Sequence, residues 1–173
     1  MIRAQRSSDV VMELLLDYAR ILVVDGHGAY KKGQKRGARY VLAFCWAHCR
    51  RKYLVAEQSY AREAGAILNL IDELFRIERE AARGPPGEDA LLERRRRLRD
   101  GRSRWVIAAL QCWATELKVL PQSSLGRAMR YMIDHWSGLV RFLEDPRIPL
   151  SNNHTERAER GPVVGRKNFG GCK

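Results

Sequence analysis

The stretch IPLSNNHTER (residues 148–157) is short, polar and distinctive, and the rest of the chain can be arranged around it. Asn153 is a favourable N-cap residue, which predicts a helix with Glu156 in its first turn. In one interpretation, Glu156 reaches back to the backbone N–H of Asn153 and completes a capping box. In the other, Glu156 is a carboxylate directed at a metal site. The stretch alone does not choose between them, so the choice depends on other segments.

A second acidic residue follows a predicted strand near the start of the chain. Residues 20–26 (RILVVDG) contain four consecutive aliphatic residues closed by Asp25-Gly26, a pattern typical of a buried strand. Residues 39–44 (RYVLAF) predict a second such strand, and the basic helical segment 27–36 between them favours a parallel crossover. Ligands of open α/β sheets bind at the carboxyl ends of strands, where Asp25 lies. The alternative is that Asp25 caps the helix that follows it.

Helical patterns fill most of the remaining chain. Apolar residues at helical spacing predict helices over residues 9–18, about 56–83, about 88–118 and 123–142. The sequence GPPG (84–87) separates the second from the third, and Trp105 is predicted on the apolar side of the third. The arginine run 94–97 predicts a solvated helix face, with phosphate contact as the alternative.

The net charge of +12 and the pI of about 10.1 favour a polyanionic partner such as nucleic acid, although a basic protein without such a partner remains the alternative. Four cysteines without a secretory signal do not indicate a disulfide framework. No apolar run approaches the length of a membrane span. These features predict a cytoplasmic protein with reduced thiols.

The segment CWAHCRRKY (45–53) allows two interpretations. Cys45, His48 and Cys49 are possible zinc ligands, but a structural zinc site needs four ligands and only three cluster here. The alternative is a strand-to-helix junction whose cysteine and tryptophan side chains pack inward. The basic residues that follow face either a phosphate backbone or solvent: Arg50, Arg51 and Lys52.

The C-terminal segment is also basic. Residues 165–168 (GRKN) predict a tight loop whose Arg166 and Lys167 suit a phosphate. Arg157 or Arg160 could contact phosphate as well, and the alternative for Arg160 is an ion pair with Glu156 one helical turn away.

Asp25 and Glu156 together suggest metal-dependent phosphoryl transfer. Two-metal sites use carboxylates to hold two Mg²⁺ ions about 3.5–4 Å apart. Hard divalent cations prefer the oxygen ligands that Asp and Glu provide. This hypothesis predicts that the two carboxylates lie close in space.

Four segments of the chain resemble, in order and spacing, the central region of bacterial insertion-sequence transposases of the IS66 type (TnpC-like). They are LVVDGHGAY (22–30), CWAHCRRK (45–52), SNNHTER (151–157) and GRKNF (165–169). Each motif alone is weak, but together they are specific, and the resemblance covers nearly the whole chain.

The resemblance implies a fold of the α/β class that is mostly helical, with a partial RNase H-like core of two or so strands and a large all-helical insertion. It implies DDE chemistry on DNA, with Asp25 as the second catalytic aspartate and Glu156 as the catalytic glutamate, both binding Mg²⁺. Cys45 and His48 match a structural Cys-x-x-His element, and Asn152 and Asn153 belong to the glutamate motif.

The same resemblance implies a division of the chain and a set of partners. Residues 1–55 are expected to form part of the catalytic core, 56–146 the helical insertion, and 147–173 the return to the core. The expected partners are DNA, both element ends and target, a second copy of the chain, and accessory proteins of the same element, without a membrane. The expected location is the bacterial cytoplasm, in association with the nucleoid.

The chain also departs from the family pattern. The first catalytic aspartate of the family lies on a strand upstream of the one that precedes Asp25, and no such strand is predicted here. The two-metal site is therefore expected to be incomplete and the chain to be a fragment, inactive alone. The competing hypotheses are a basic DNA-binding remnant without chemistry, which would still bind DNA after Glu156→Ala, and a structural zinc module.

Overall fold

The computed structural model describes residues 20–25, Tyr30 and residues 39–152. Two short strands, β1 (Ile21–Val24) and β2 (Val41–Phe44), pair in parallel, with Ile21 opposite Val41 and Val24 opposite Phe44. The predicted parallel pairing is confirmed, although both strands are shorter than predicted. The predicted helix 9–18, and segment 27–36 apart from Tyr30, lie outside the described residues.

Helices make up most of the described chain after β2. They are α1 (Trp46–Glu57), α2 (Ala61–Ala82), α3 (Glu88–Leu98), a π-helical turn (Arg99–Ser103), α4 (Arg104–Glu116), α5 (Ser124–Asp134), α6 (Trp136–Leu139) and a 3₁₀ turn (Arg141–Leu143). With two parallel strands and this helical content, the predicted class, α/β and mostly helical, is confirmed.

Helix α1 lies at the centre of the core because it packs against both α2 and α5. Its residues Trp46, Cys49, Tyr53 and Ala56 recur at three and four positions and are completely buried. The indole N–H of Trp46 donates to the main-chain oxygen of Leu139 at 2.8 Å, which ties α6 to the start of α1. The helical part of the core therefore begins directly at the carboxyl end of β2.

The helix predicted from about residue 56 was placed wrongly at its start. Ala56 belongs to α1, and its carbonyl accepts the N–H groups of Ser59 and Tyr60, which closes α1 with a turn. A new helix then begins at Ala61 and buries its own apolar stripe. The apolar pattern continues across the turn between α1 and α2, because both helices bury residues at the same spacing. The pattern therefore did not indicate that the chain changes direction there.

The helix predicted through residue 142 was too long, since α5 ends at Asp134. His135 leaves the helical conformation, with φ −115° and ψ 5°. Its Nδ1 lies 2.7 Å from the Tyr131 carbonyl, which in a continuing helix would accept the main-chain N–H of His135. A side chain thus takes the place of a helical hydrogen bond, and the chain turns into α6. The predicted start is confirmed, because the Ser123 hydroxyl accepts the N–H of Gly126 at 2.9 Å as an N-cap.

The helix predicted over 88–118 is interrupted by the π-helical turn and ends at Glu116. Beyond the turn, α4 buries Val106, Ile107 and Leu110. Trp105 lies off this stripe and is 78% exposed, so its predicted place on the apolar side was wrong. The sequence pattern missed the turn because it contains no proline to mark it.

Arg99, at the start of the π-helical turn, is the largest buried charged side chain among the described residues and is 1% exposed. Its Nε and Nη2 donate to the two carboxylate oxygens of Glu78 at 2.7 and 2.9 Å. Its remaining hydrogen bonds go to the main-chain oxygens of Phe142 at 2.7 Å, Asp145 at 3.2 Å and Ile148 at 3.1 Å. One guanidinium therefore joins α2, the π-helical turn and the segment 142–148.

The arginine run before it does not behave as one face. Arg96 and Arg97 are exposed, as predicted. Arg95 instead lies 3.1 Å from Glu78, and Arg94 donates to the main-chain oxygen of Ala81 at 2.8 Å. The solvated-face prediction is therefore correct for two of the four arginines.

Candidate active site

Three segments of the chain meet at the carboxyl ends of the two strands. Asp25 follows β1 directly, and the N–H of Cys45, which follows β2, donates to the Val24 carbonyl at 3.0 Å. The next N–H, that of Trp46, donates to the Leu150 carbonyl at 3.1 Å. The chain thus enters the polar stretch after Leu150 beside the carboxyl end of β2, the strand that pairs with β1.

Asn152 is the last described residue of this approach. Its side-chain Oδ1 is buried and has no hydrogen-bond partner among residues 20–25, 30 and 39–152. The predicted site residues that follow lie outside the described residues: Asn153, Glu156, Arg157, Arg160, Arg166 and Lys167. The predicted proximity of Asp25 and Glu156 therefore stays a prediction.

Tyr131 of α5 reaches the strand end that carries Asp25. Its hydroxyl donates to the main-chain oxygen of Asp25 at 2.6 Å. Burial raises the pKa of Tyr131, and the neighbouring acidic groups of Cys49, Asp25 and Cys45 raise it further, so the hydroxyl remains protonated and can donate. Sequence reasoning did not single out Tyr131, because nothing in its local pattern indicates a main-chain acceptor more than a hundred residues away.

His135 lies between Tyr131 and the end of β2. Its ring stacks on Tyr131, with centroids 4.4 Å apart and an interplanar angle of 23°. Its other ring contact is edge-on to Phe44 at 4.5 Å. The carboxyl end of α5 therefore spans both strand ends, with Tyr131 at β1 and His135 at β2. The signal for this pair was its four-residue spacing, which places two rings on one helical face.

The segment Cys45–Cys49 packs inward, as one of its two interpretations predicts. Cys45, Trp46 and Cys49 are completely buried. Burial raises the pKa of the Cys49 thiol, with a further contribution from Cys45. Among the described residues, which include Cys45, His48 and Cys49, no three His, Cys, Asp or Glu side chains are grouped to hold a metal ion.

The three basic residues of α1 have different surroundings. Arg50 forms a two-pronged ion pair with Asp72 of α2, at 2.6 and 3.0 Å. Arg51 and Lys52 are exposed, and Lys52 Nζ lies 5.6 Å from the centre of the Tyr131 ring. Lys52 is thus the one of the three with a described contact to the ring that touches Asp25.

Comparison with known proteins agrees with the motif resemblance. A family model described as Transposase IS66 family matches residues 1–173. The chain belongs to the IS66 transposase family. The match covers the whole chain, including Asp25, the buried Cys45–Cys49 junction and Glu156.

The chain is also similar to two proteins of Sinorhizobium fredii. It is 35% identical to the uncharacterised protein y4jD over 171 residues, which cover 94% of the chain and 32% of that protein. It is 37% identical to the uncharacterised protein y4qI over 172 residues, which cover 94% of the chain and 31% of that protein. The chain therefore spans about a third of the length of these curated relatives. No solved structure matches it.

None of the helices among the described residues has both the length and the apolar character required to cross a bilayer.

Proposed function

We propose that this segment carries two of the catalytic carboxylates, Asp25 and Glu156, of a DNA transposase that uses DDE chemistry. The observation that supports the proposal is the meeting of three segments at the carboxyl ends of the strands. Asp25 follows β1, and the hydrogen bond from Trp46 to Leu150 holds the approach to the Glu156 stretch at the neighbouring end of β2. Ligand sites of open α/β sheets occur at this edge.

The donor chemistry of the proposed site fits Mg²⁺. Asp25 and Glu156 supply carboxylate oxygens, the ligands that Mg²⁺ prefers. The thiols of Cys45 and Cys49 are buried, and the proposal does not include them among the ligands. When bound, Mg²⁺ activates the attacking oxygen and stabilises the leaving oxygen of the phosphoryl group. The part of the protein is to fix the two carboxylates and to orient the DNA strand between them.

The exposed basic residues supply the proposed DNA contacts. Arg51 and Lys52 lie on α1, which begins at the carboxyl end of β2, so they can neutralise backbone phosphates near Asp25. The family resemblance adds four basic residues of the C-terminal segment to this proposed surface: Arg157, Arg160, Arg166 and Lys167. Cleavage of element ends, strand transfer to target DNA, self-association and accessory partners are proposed for the longer protein, of which this segment corresponds to about a third.

Metal-directed backbone cleavage tests the central claim. Fe²⁺ replaces Mg²⁺ in the chain, and ascorbate with hydrogen peroxide then generates radicals that cut the polypeptide next to the bound ion. We expect cuts near Asp25 and near Glu156, suppressed by excess Mg²⁺ and lost in both Asp25→Asn and Glu156→Gln. Glu116→Gln, at an exposed carboxylate on α4, is the matched control and should leave the cuts unchanged.

The outcomes separate this function from its competitor. Cuts at one of the two positions alone, or cuts that persist in Asp25→Asn, would show that the carboxylates do not share an ion. If duplex DNA still binds while no cuts appear, the chain is a DNA-binding segment without a metal site, as the alternative hypothesis holds.

A further inference from the structure

The hydrogen bond from Tyr131 to Asp25 joins the helical insertion to the proposed catalytic edge. The donor lies on α5 and the acceptor directly after β1, 106 positions apart in the sequence. The bond uses the main-chain oxygen of Asp25 and therefore does not consume a carboxylate lone pair. It constrains the backbone from which the carboxylate projects.

The Tyr131 ring is itself held in place. It stacks on His135, and the Nδ1 of His135 lies 2.7 Å from the main-chain oxygen of Tyr131, so one residue contacts both the ring and the backbone of the tyrosine. The His135 ring in turn meets Phe44, the last residue of β2. Lys52 Nζ lies over the tyrosine ring. The hydroxyl is thus directed at Asp25 by contacts from α1, α5 and β2.

We propose that Tyr131 is a positioning residue, which fixes the backbone of Asp25 so that its carboxylate meets the metal ion in a single orientation. This inference rests on the proposed function, since it takes Asp25 to be a metal ligand. In this proposal, the end of the helical insertion contributes to the active site, although it lies outside the segments that contain the acidic motifs. Hydrogen-bonded groups that orient metal ligands contribute about 10–100-fold to metal affinity.

The test compares two tyrosine-to-phenylalanine variants of the chain. Tyr131→Phe removes the hydroxyl and keeps the ring that contacts His135 and Lys52. Tyr53→Phe is the matched control, because it removes a buried hydroxyl at the contact between α1 and α5, where Tyr53 meets the Met132 sulfur at 3.6 Å. Mn²⁺ affinity is measured from the electron paramagnetic resonance signal of free Mn²⁺, and the urea midpoint is measured in parallel.

We expect Tyr131→Phe to weaken Mn²⁺ binding about 10-fold, while Tyr53→Phe leaves the affinity unchanged at a similar urea midpoint. Equal affinities for wild type and Tyr131→Phe would overturn the inference, and so would an equal loss in both variants, which would indicate a purely structural effect. The Asp25→Asn variant separates a failure of this inference from a failure of the proposed function. If it abolishes binding while Tyr131→Phe has no effect, the inference fails and the proposed function stands; if it has no effect, both fail.

Discussion

Arg99 and Asp25 are each held by a part of the chain that is distant in sequence, but the two regions are built differently. Around Arg99, one buried guanidinium donates five hydrogen bonds, two to a carboxylate and three to carbonyls. Around Asp25, separate and weaker contacts from Tyr131, Cys45 and Trp46 bring the segments together. The first arrangement concentrates stability in one residue, whereas the second distributes it over several elements.

Arg99→Ala should produce the largest effect in the molecule. It leaves the carboxylate of Glu78 and three carbonyls without their shared partner, and breaking a buried ion pair in this way costs about 3–5 kcal/mol. Urea denaturation measures the loss. Arg97→Ala, at an exposed position of α3, is the control and should stay within about 0.5 kcal/mol of wild type. Similar values for the two variants would contradict the central place given to Arg99.

Trp46→Phe should have an intermediate effect on the side of the molecule that carries Asp25. The variant keeps an aromatic ring but leaves the carbonyl of Leu139 without its donor, which costs about 1–3 kcal/mol. The same change at exposed Trp105 provides the control, and should alter the unfolding free energy by less than about 0.5 kcal/mol. A loss as large as that of Arg99→Ala would remove the contrast between a concentrated and a distributed region.

The basic residues of α1 allow the comparison to be extended to DNA. Lys52→Gln should lower the salt dependence of binding to a labelled duplex by about one phosphate contact, measured by fluorescence anisotropy over a salt series. Arg50→Gln should change it less, because Asp72 already pairs with the guanidinium. An equal reduction in both variants would show that the ion pair opens when DNA binds.

Asp145→Asn should give the smallest effect, and that effect should depend on pH. The hydrogen bonds from Arg147 hold the pKa of Asp145 below its usual value of 3.8. A carboxylate with a lowered pKa in the folded state adds stability above its unfolded pKa and loses it as the pH falls through the folded value. The urea midpoints of wild type and variant should therefore differ at neutral pH and converge as the pH falls below the usual pKa of 3.8 and through the lowered folded value. A constant difference would exclude this charge effect.

The sequence was informative where local chemistry determines the outcome. Aliphatic runs predicted β1 and β2, Ser123 marked the start of α5, and the position of Asp25 after a strand followed from the aliphatic pattern. The sequence was uninformative where one side chain finds a distant partner. Arg99 follows four other arginines and differs from them only because Glu78 and three carbonyls surround it. Helix α5 ends where the ring of His135 takes the place of a main-chain hydrogen bond. Apolar residues at helical spacing give no sign of this replacement.

The candidate site was predicted in the same uneven way. Asp25 and Glu156 were predicted from their surroundings in the sequence, and their place in a site stays a prediction. The contact of Tyr131 with Asp25 was missed because its acceptor is a main-chain atom, which has no residue type to recognise. Arg50 resembled its neighbours Arg51 and Lys52 until the structure paired it with Asp72. The partner of a charged side chain depends on which groups lie near it in the folded chain, and the periodicity of the sequence gives no information about those distances.

The π-helical turn also determines where the chain tolerates a change of length. Hydrogen bonds in a π-helical turn span five residues and those in an α-helix span four, so the turn accommodates one residue more than an α-helical turn. The deletion of one residue between Arg99 and Ser103 would therefore convert the turn to α-helix and keep Val106, Ile107 and Leu110 on the buried side of α4. A residue added to the GPPG loop at 84–87 would only lengthen an exposed connection. Insertions in relatives of this chain should therefore collect in that loop, and the turn should vary only by the loss of this one residue.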